Sequence, residues 1–139
     1  MALKATKAEV WAATIDDRAG GAADKLEALA RGGVSLEMLL ARRTEQPGQG
    51  VMFVTPVKGA KAVKAAQEAG FGKPESIHSV RVEGSDKPGL GTKIARALGN
   101  AGVSFRGVSA VAIGSKFISY IACDNAEDAA KAISVLKKL

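Results

Sequence analysis

The chain has 139 residues, of which 47% are hydrophobic and 24% charged, with 16 glycines and few aromatic residues. This composition excludes collagen, coiled coils, disordered tails and disulfide scaffolds. The formal net charge of +6 keeps nucleic acids among the partners to consider. One cysteine and one histidine exclude an intrachain disulfide and clustered zinc ligands. The sequence has no apolar run as long as a membrane span, so we expect a soluble, cytoplasmic protein.

The sequence repeats itself with an offset of 69 residues. Between positions 17 and 35, seven of 19 residues are identical to their counterparts, whereas unrelated sequences share about one or two. The identical residues are Asp17, Gly20, Ala28, Leu29, Gly33, Val34 and Ser35. Because they fall at turn glycines as well as at apolar positions, they favour a duplication over a chance likeness between Ala- and Gly-rich segments.

The first half predicts the order strand, helix, strand, strand, helix. Alternation around Trp11 to Ile15 predicts a strand, and apolar residues at helical spacing from Ala22 to Ala30 predict a helix ended by two glycines. Period-two alternation over 34–40 and an apolar run over 51–57 predict two further strands. An alanine-rich helix follows over 59–69. Residues 71–76 are consistent with either a fourth strand or a linker.

The second half has the same order of predicted elements. Strands are predicted around 80–82, 103–113 and 117–123, and helices over 89–100 and 126–137. A βαββαβ order gives the ferredoxin-like sandwich, an antiparallel sheet with two helices on one face. The predicted fold class is therefore α+β, with one such unit in 1–72 and another in 73–139. The exposed strand edges of these units favour pairing between chains.

The turn from Gly84 to Gly91 is the best candidate for a ligand site. Its glycines allow a ligand close to the backbone amides at the start of the helix, where a carboxylate or phosphate is favoured. Pro88 suits a first helical position, and Asp86 is expected to cap the helix. Asp86 repels an anion unless the ligand also carries an ammonium group, and an α-amino acid carries both charges. A plain helix-capping turn is the alternative interpretation.

A strand, Asp-x-Pro-Gly, a helix ending in Ala-Gly-Val-Ser-Phe and a further strand together resemble the ACT domain. Two copies, over 11–69 and 77–139, account for nearly the whole chain. The family usually has arginine where this chain has Lys87 and asparagine where it has Ser35 and Ser104, and the first copy has Ala19 in place of the proline. The resemblance implies a tandem, stand-alone regulatory protein that binds amino acids and has no catalytic domain.

In ACT proteins, ligands typically lie between paired units, against the first turn of one and the start of the second strand of the other. The resemblance therefore implies a ligand-binding set of Asp86, Lys87, Pro88, Gly89, Leu90, Gly91, Val103 and Ser104, with Asp17, Arg18, Ala19, Gly20, Val34 and Ser35 in the first unit. The missing proline favours a structural role for the first copy. The implied partners are an amino acid or similar metabolite, a second copy in a homodimer or higher oligomer, and a regulated enzyme. No cofactor is implied.

Three other functions remain open from the residues alone. A ferredoxin-like sheet with strand aromatics such as Phe53 and Tyr120 can bind nucleic acid, although the characteristic basic-aromatic motif is missing. A purely structural dimerisation module is a second alternative. An enzyme is disfavoured, because the sequence contains no recognisable nucleophile–base pair, phosphate-binding loop or metal set. Cys123 and His78 are predicted to be structural, and Trp11 is predicted to pack on its sheet.

Overall fold

A computed structural model describes residues 3–139 and folds them into two compact units. The first unit is Glu9–Pro74, and the second is the chain up to Ala8 together with Glu75–Leu139. The strands are β1 (Lys4–Ala8), β2 (Trp11–Asp16), β3 (Met38–Arg43), β4 (Gln49–Thr55), β5 (His78–Ser85), β6 (Phe105–Ile113) and β7 (Lys116–Cys123). The helices are α1 (Gly21–Arg31), α2 (Ala60–Glu68), α3 (Leu90–Asn100) and α4 (Ala126–Leu136).

The second unit is a four-stranded antiparallel sheet with two helices against it. Its strand order is β1-β5-β7-β6. Alternate residues of β5 and β7 are buried because they face α3 and α4, which contribute Leu98 and Leu136 to the same core. Val82 of β5 lies opposite Ser119 of β7 and is completely buried. Strand β6 forms one edge of this sheet, and most of its residues are exposed.

Strand β1, from the start of the chain, is the other edge of the second unit's sheet. It pairs antiparallel with β5, and Ala5 lies opposite Val82 with 1% of its surface exposed. Alternating burial of Leu3 and Ala5 explains the pairing, because both face the core of the second unit. This division differs from the predicted boundary between 1–72 and 73–139: the strand that completes the second sheet precedes the first unit in sequence.

The first unit has a three-stranded sheet in the order β2-β4-β3. A single antiparallel bridge joins Ala12 to Gly72, with each amide donating to the other residue's carbonyl at 2.8 and 3.0 Å. The segment 71–76 therefore supplies a fourth-strand contact at one residue and continues as a linker. Trp11 is 5% exposed and packs with Met52 in the core, so the prediction that it packs on its sheet is confirmed.

The predicted fold class is confirmed: both units are α+β with antiparallel sheets, as expected for ferredoxin-like, ACT-type units. The helices follow the strands that the sequence predicted: α1 follows β2 and α2 follows β4 in the first unit, and α3 follows β5 and α4 follows β7 in the second. A helical membrane crossing needs a long apolar helix, and residues 3–139 contain none.

Candidate ligand-binding site at the strand-to-helix turns

The turn between β5 and α3 contains four of the predicted site residues, Asp86 to Gly89, and Leu90 and Gly91 begin α3. The amide of Asp86 donates to the Ser115 carbonyl at 2.8 Å, which fixes the end of β5 beside the hairpin that joins β6 to β7. The amide of Leu90 donates to the Lys87 carbonyl at 3.1 Å and closes the turn. Gly89 has a φ of 85°, a left-handed conformation that a side chain disfavours. The glycine at this position is therefore required by the backbone.

The turn between β2 and α1 has the same backbone geometry. The amide of Asp17 donates to the Gly48 carbonyl at 3.0 Å, and the amide of Gly21 donates to the Arg18 carbonyl at 3.0 Å. Gly20 has a φ of 87° and begins the helix as Gly89 does in the second unit. The 69-residue offset found in the sequence thus relates two turns that share three backbone hydrogen bonds, and in the first turn the Arg18 amide also donates to the Asp16 carbonyl at 2.9 Å.

The expected helix cap is wrong in detail. The residue that caps α3 is Gly89, and no side chain accepts a hydrogen bond from the first turn of the helix. Asp86 lies three residues earlier, and Pro88 precedes the cap instead of occupying the first helical position. Since the first amides of a helix have no acceptor within it, the N–H groups of Gly91 and Thr92 remain available at the positive end of α3.

The charged side chains of the first turn are used within the protein. Nε of Arg43 donates to both carboxylate oxygens of Asp17, at 2.9 and 3.1 Å. A terminal nitrogen of Arg18 lies 2.6 Å from the Asp24 carboxylate, and Asp16 is a second partner at 3.6 Å. The hydrogen bond to Asp24 raises the pKa of Arg18 above its ordinary value. These contacts leave the first turn with its charges already paired.

The charged side chains of the second turn have no such partners. Within residues 3–139, neither Asp86 nor Lys87 forms a side-chain hydrogen bond or an ion pair, and both are exposed. An aspartate and a lysine that are adjacent in sequence therefore lie, with no side-chain partner among the described residues, in the turn that leads into α3. This is the arrangement of charges that a zwitterion complements: its carboxylate is attracted to the amides and Lys87, and its ammonium to Asp86.

The two turns also differ in how closely they pack. Gly21, the first residue of α1, is buried, and a Cβ there would collide with the backbone carbonyl of Asp16. The corresponding residue of α3 is Leu90, which is half-buried. The first turn is thus folded tightly against the end of its strand, whereas the second turn accommodates a large side chain.

The predicted site residues at the other end of the helices do not all face solvent. Val103 is 4% exposed and belongs to the core of the second unit, and its amide donates to the Leu98 carbonyl at 2.9 Å. Val34 packs in the same way against the core of the first unit. Ser35 and Ser104 are exposed. Within each unit, the valines therefore position the start of a strand and the serines present polar side chains.

An apolar cavity of about 220 Å³ begins beside the second turn, between α3 and the sheet. Gly91 contributes to its lining, and a Cβ on this residue would have no atom within 4 Å. The other lining residues come from α3, β6 and β7, and include Ala95, Leu98, Val108, Ala110 and Ser119. This cavity could not be predicted from the sequence, since its residues are ordinary apolar positions of a helix and two strands.

Larger but more polar clefts lie on the first unit. One of about 420 Å³ lies between α1 and α2 and is lined by Arg31, Lys61, Lys64 and Glu68, among others. Its charged groups are carried by long, exposed side chains, and Lys64 lies 4.0 Å from Glu68. The larger volume of this cleft therefore does not identify it as the site, because its polar groups are exposed and it has no continuous apolar wall.

The sequence analysis did not predict an ion-paired cluster on the sheet of the second unit. Arg81 donates to Glu83 at 2.8 Å and to the Tyr120 hydroxyl at 3.3 Å. The hydrogen bond from Arg81 lowers the pKa of Glu83 below its ordinary value, and the hydrogen bond to Glu83 raises the pKa of Arg81. These residues alternate with the core residues of β5, so they lie on the face of the sheet away from the helices.

The two residues most suited to catalysis have structural surroundings. Cys123 is fully buried, and desolvation raises the pKa of its thiol, which disfavours the reactive thiolate. A ring nitrogen of His78 lies 3.0 Å from the Glu75 carbonyl, within a half-buried strand end. Both environments agree with the structural roles predicted for these residues.

Comparison with solved structures shows the fold. A protein from Bacteroides thetaiotaomicron is 22% identical with a TM-score of 0.78, and the match covers 97% of this chain and 90% of that one. The ligand-free regulatory subunit of aspartate kinase from Thermus thermophilus is 19% identical with a TM-score of 0.63, covering 98% and 97%. The corresponding subunit from Thermus flavus is 22% identical with a TM-score of 0.62, covering 99% and 96%.

No protein-family model matches the sequence, and no curated protein sequence does either. The solved structures agree with an ACT-type fold for nearly the whole chain. At these levels of identity they establish the fold alone.

Proposed function

We propose that this protein is a regulatory module that binds a free α-amino acid at the turn from Asp86 to Gly91. The observation that carries the proposal is the contrast between the two turns. They share one backbone geometry, but Arg43 pairs with Asp17 in the first, whereas Asp86 and Lys87 have no partner within the described chain. Charges beside open helix amides suit a zwitterionic ligand.

The first turn has a structural role in this proposal. Its ion pairs with Arg43 and Asp24 hold the end of β2 and the start of α1 in place. Asp17, Arg18, Ala19 and Gly20, which the family resemblance included among the ligand contacts, then complete the fold of the first unit. Val34 and Ser35 begin the segment that leads to β3.

We further propose that the partner in assembly is a second copy of the chain. Strand β6 is an unpaired edge within its unit's sheet, and its apolar residues are unusually exposed: Val111 by 55% and Ile113 by 70%. Edge strands of this kind pair readily with another strand, and exposed apolar side chains strengthen the contact. A ligand between two such copies would contact Asp86 in one copy and the region of Ser104 in the other.

Regulation follows if the ligand binds the paired form better than the separate one. A coupling free energy of about 1–3 kcal/mol is typical of such systems and changes partner affinity about 5- to 150-fold. The regulatory subunits of aspartate kinase among the structural neighbours support a regulated enzyme as the further partner.

Titration calorimetry against the twenty amino acids tests the proposal directly. We expect saturable heat from one amino acid or a small group, together with a change in molar mass by light scattering when that ligand is added. A folded protein that gives no heat with any of them contradicts amino-acid binding. Binding without any change in assembly or partner affinity contradicts the regulatory part of the proposal and supports amino-acid binding alone.

A further inference from the structure

We infer that the apolar cavity beside the second turn is a subsite for the side chain of an uncharged aliphatic amino acid. This inference rests on the proposed function, because the turn would bind the ligand's charged groups. The cavity continues from Gly91 along α3 toward Leu98 and is closed on the other side by β6 and β7. Gly91 therefore belongs to both the turn and the cavity, and a ligand bound at the amides can extend its side chain along the helix.

The chemistry of the lining excludes a charged side chain. Of the ten residues that the structure places around the cavity, Ser119 alone has a polar side chain. The remainder are aliphatic or aromatic residues and a glycine. Burying a charge there would cost several kcal/mol without a partner. An aliphatic side chain would instead gain affinity with each CH₂ group that it buries.

Ser119 is a small polar residue in the lining of this cavity. It is 2% exposed, yet among the described residues its hydroxyl has no hydrogen-bond partner. It lies on β7 between Phe117 and Ile121, two buried residues that also line the cavity. Among the described residues, no fully buried side-chain polar atom lacks a hydrogen-bond partner, so the Ser119 hydroxyl keeps some accessible surface where it lines the cavity.

The first unit shows what a structural residue does at this position. Met52 lies opposite Ala13 on β2 and Ala41 on β3, just as Ser119 lies opposite Val82 on β5 and Ala110 on β6. Met52 is completely buried in the core of the first unit. The unit with paired turn charges therefore fills this position with a methionine side chain. The unit with unpaired turn charges has a small serine and a cavity.

This correspondence indicates the size of the ligand's side chain. The volume that Met52 occupies beyond a serine is about that of a short aliphatic chain. We therefore expect the cavity to take side chains from valine to methionine in size, and to discriminate against alanine, which is too short, and against lysine and aspartate, which are charged.

Two variants of the full chain close the cavity from different sides. Ser119→Met copies the first unit, and Ala110→Leu fills the space from the exposed edge strand, where a larger side chain does not disturb the core. The matched control is Ala112→Leu, which makes the same change two residues further along β6 and on the same face but does not line the cavity. Circular dichroism checks that each variant is folded.

Calorimetric affinities for valine, leucine, isoleucine, methionine, alanine, lysine and aspartate form the test. We expect an aliphatic amino acid to bind best, its affinity to fall at least tenfold in Ala110→Leu and Ser119→Met, and Ala112→Leu to stay within twofold of the wild type. A preference for lysine, aspartate or alanine overturns the subsite but leaves the proposed function intact. So does aliphatic binding that Ala110→Leu does not weaken. Absence of binding by all seven overturns the subsite, and absence across all twenty overturns the proposed function too.

Discussion

Nε of Arg43 lies 2.9 Å from a carboxylate oxygen of Asp17, whereas no cationic side chain among residues 3–139 pairs with Asp86. The two aspartates follow β2 and β5 and have equivalent backbone hydrogen bonds, to Gly48 and Ser115. The carboxylate is therefore paired with an arginine in the first turn, and in the second turn it has no partner among the described residues. A pair of turns that differ in this way provides its own internal control for function.

Replacement of Asp86 by asparagine should weaken amino-acid binding about tenfold or more, because the ligand's ammonium loses a charged acceptor. Calorimetric titration of Asp86→Asn measures this loss. Glu75→Gln is the matched control, since it removes one exposed carboxylate from the other end of β5. Equal affinities for Asp86→Asn and the wild type would argue against a ligand at this turn.

Replacement of Asp17 by asparagine should lower stability without affecting the ligand. The pair with Arg43 is largely exposed, so we expect a loss of about 0.5 kcal/mol in the free energy of unfolding. Urea denaturation measures the loss, and titration of the same variant measures affinity. Affinity that falls as much in Asp17→Asn as in Asp86→Asn would show that the first turn also binds.

Strand β1 should be essential to the second unit although it lies at the start of the chain. Ala5→Asp places a carboxylate opposite Val82 in the core, and we expect a destabilisation of about 3 kcal/mol or more. Thr6→Asp, at an exposed position of the same strand, should change stability by less than about 0.5 kcal/mol. Comparable melting temperatures for the two variants would contradict the placement of β1.

The pair of Arg81 and Glu83 should make stability depend on acid pH. Because Arg81 lowers the pKa of Glu83 in the folded protein, the pair's contribution is complete above the ordinary carboxyl pKa of about 4.3 and is lost as the pH falls through the lower folded value. Glu83→Gln removes this dependence. Denaturation from pH 7 to pH 2 gives the free energy of unfolding of the wild type and of Glu83→Gln, and we expect the two values to converge at low pH. A difference that stays constant over this range would contradict the ion pair between Arg81 and Glu83.

Assembly through β6 should be sensitive to charge on the exposed edge. Ile113→Lys places an ammonium on the most exposed large apolar residue of that strand, and we expect dimer affinity to fall at least tenfold. Leu139→Lys, at another exposed apolar residue, serves as the control. Light scattering across a concentration series measures both. A dimer that Ile113→Lys leaves intact uses a different surface.

The sequence predicted the two βαββαβ units because their apolar periodicities and turn glycines are strong local signals. Gly20 and Gly89 lie at helix starts and have a left-handed backbone, which favours glycine. The glycines in the sequence therefore indicated where these turns lie. Strand β1 was missed because Ala5 is its one buried residue and Leu3, just before the strand, is the other, a pattern too short to separate from chance. Its partner strand is also more than 60 residues away in sequence.

The position of the candidate site in a turn could be predicted from the sequence, but the contacts of its side chains could not. The motif located Asp86 and Gly91, whereas the ion pair between Asp17 and Arg43 depends on a contact 26 residues apart in the chain. The sequence also does not show that the Ser119 hydroxyl has no partner among the described residues. Whether a serine in an apolar strand finds an acceptor depends on which residues the fold places beside it. Non-local contacts therefore distinguish the two turns, and local sequence does not.

The most direct test of amino-acid binding at the second turn is a titration followed by amide NMR of the full chain. The account predicts that one amino acid produces saturable shifts at the amides of Gly91 and Thr92, while those of Ala22 and Ala23, at equivalent positions of α1, move little. Saturable shifts at α1 but not at α3, or no saturable shift with any of the twenty amino acids, would contradict it.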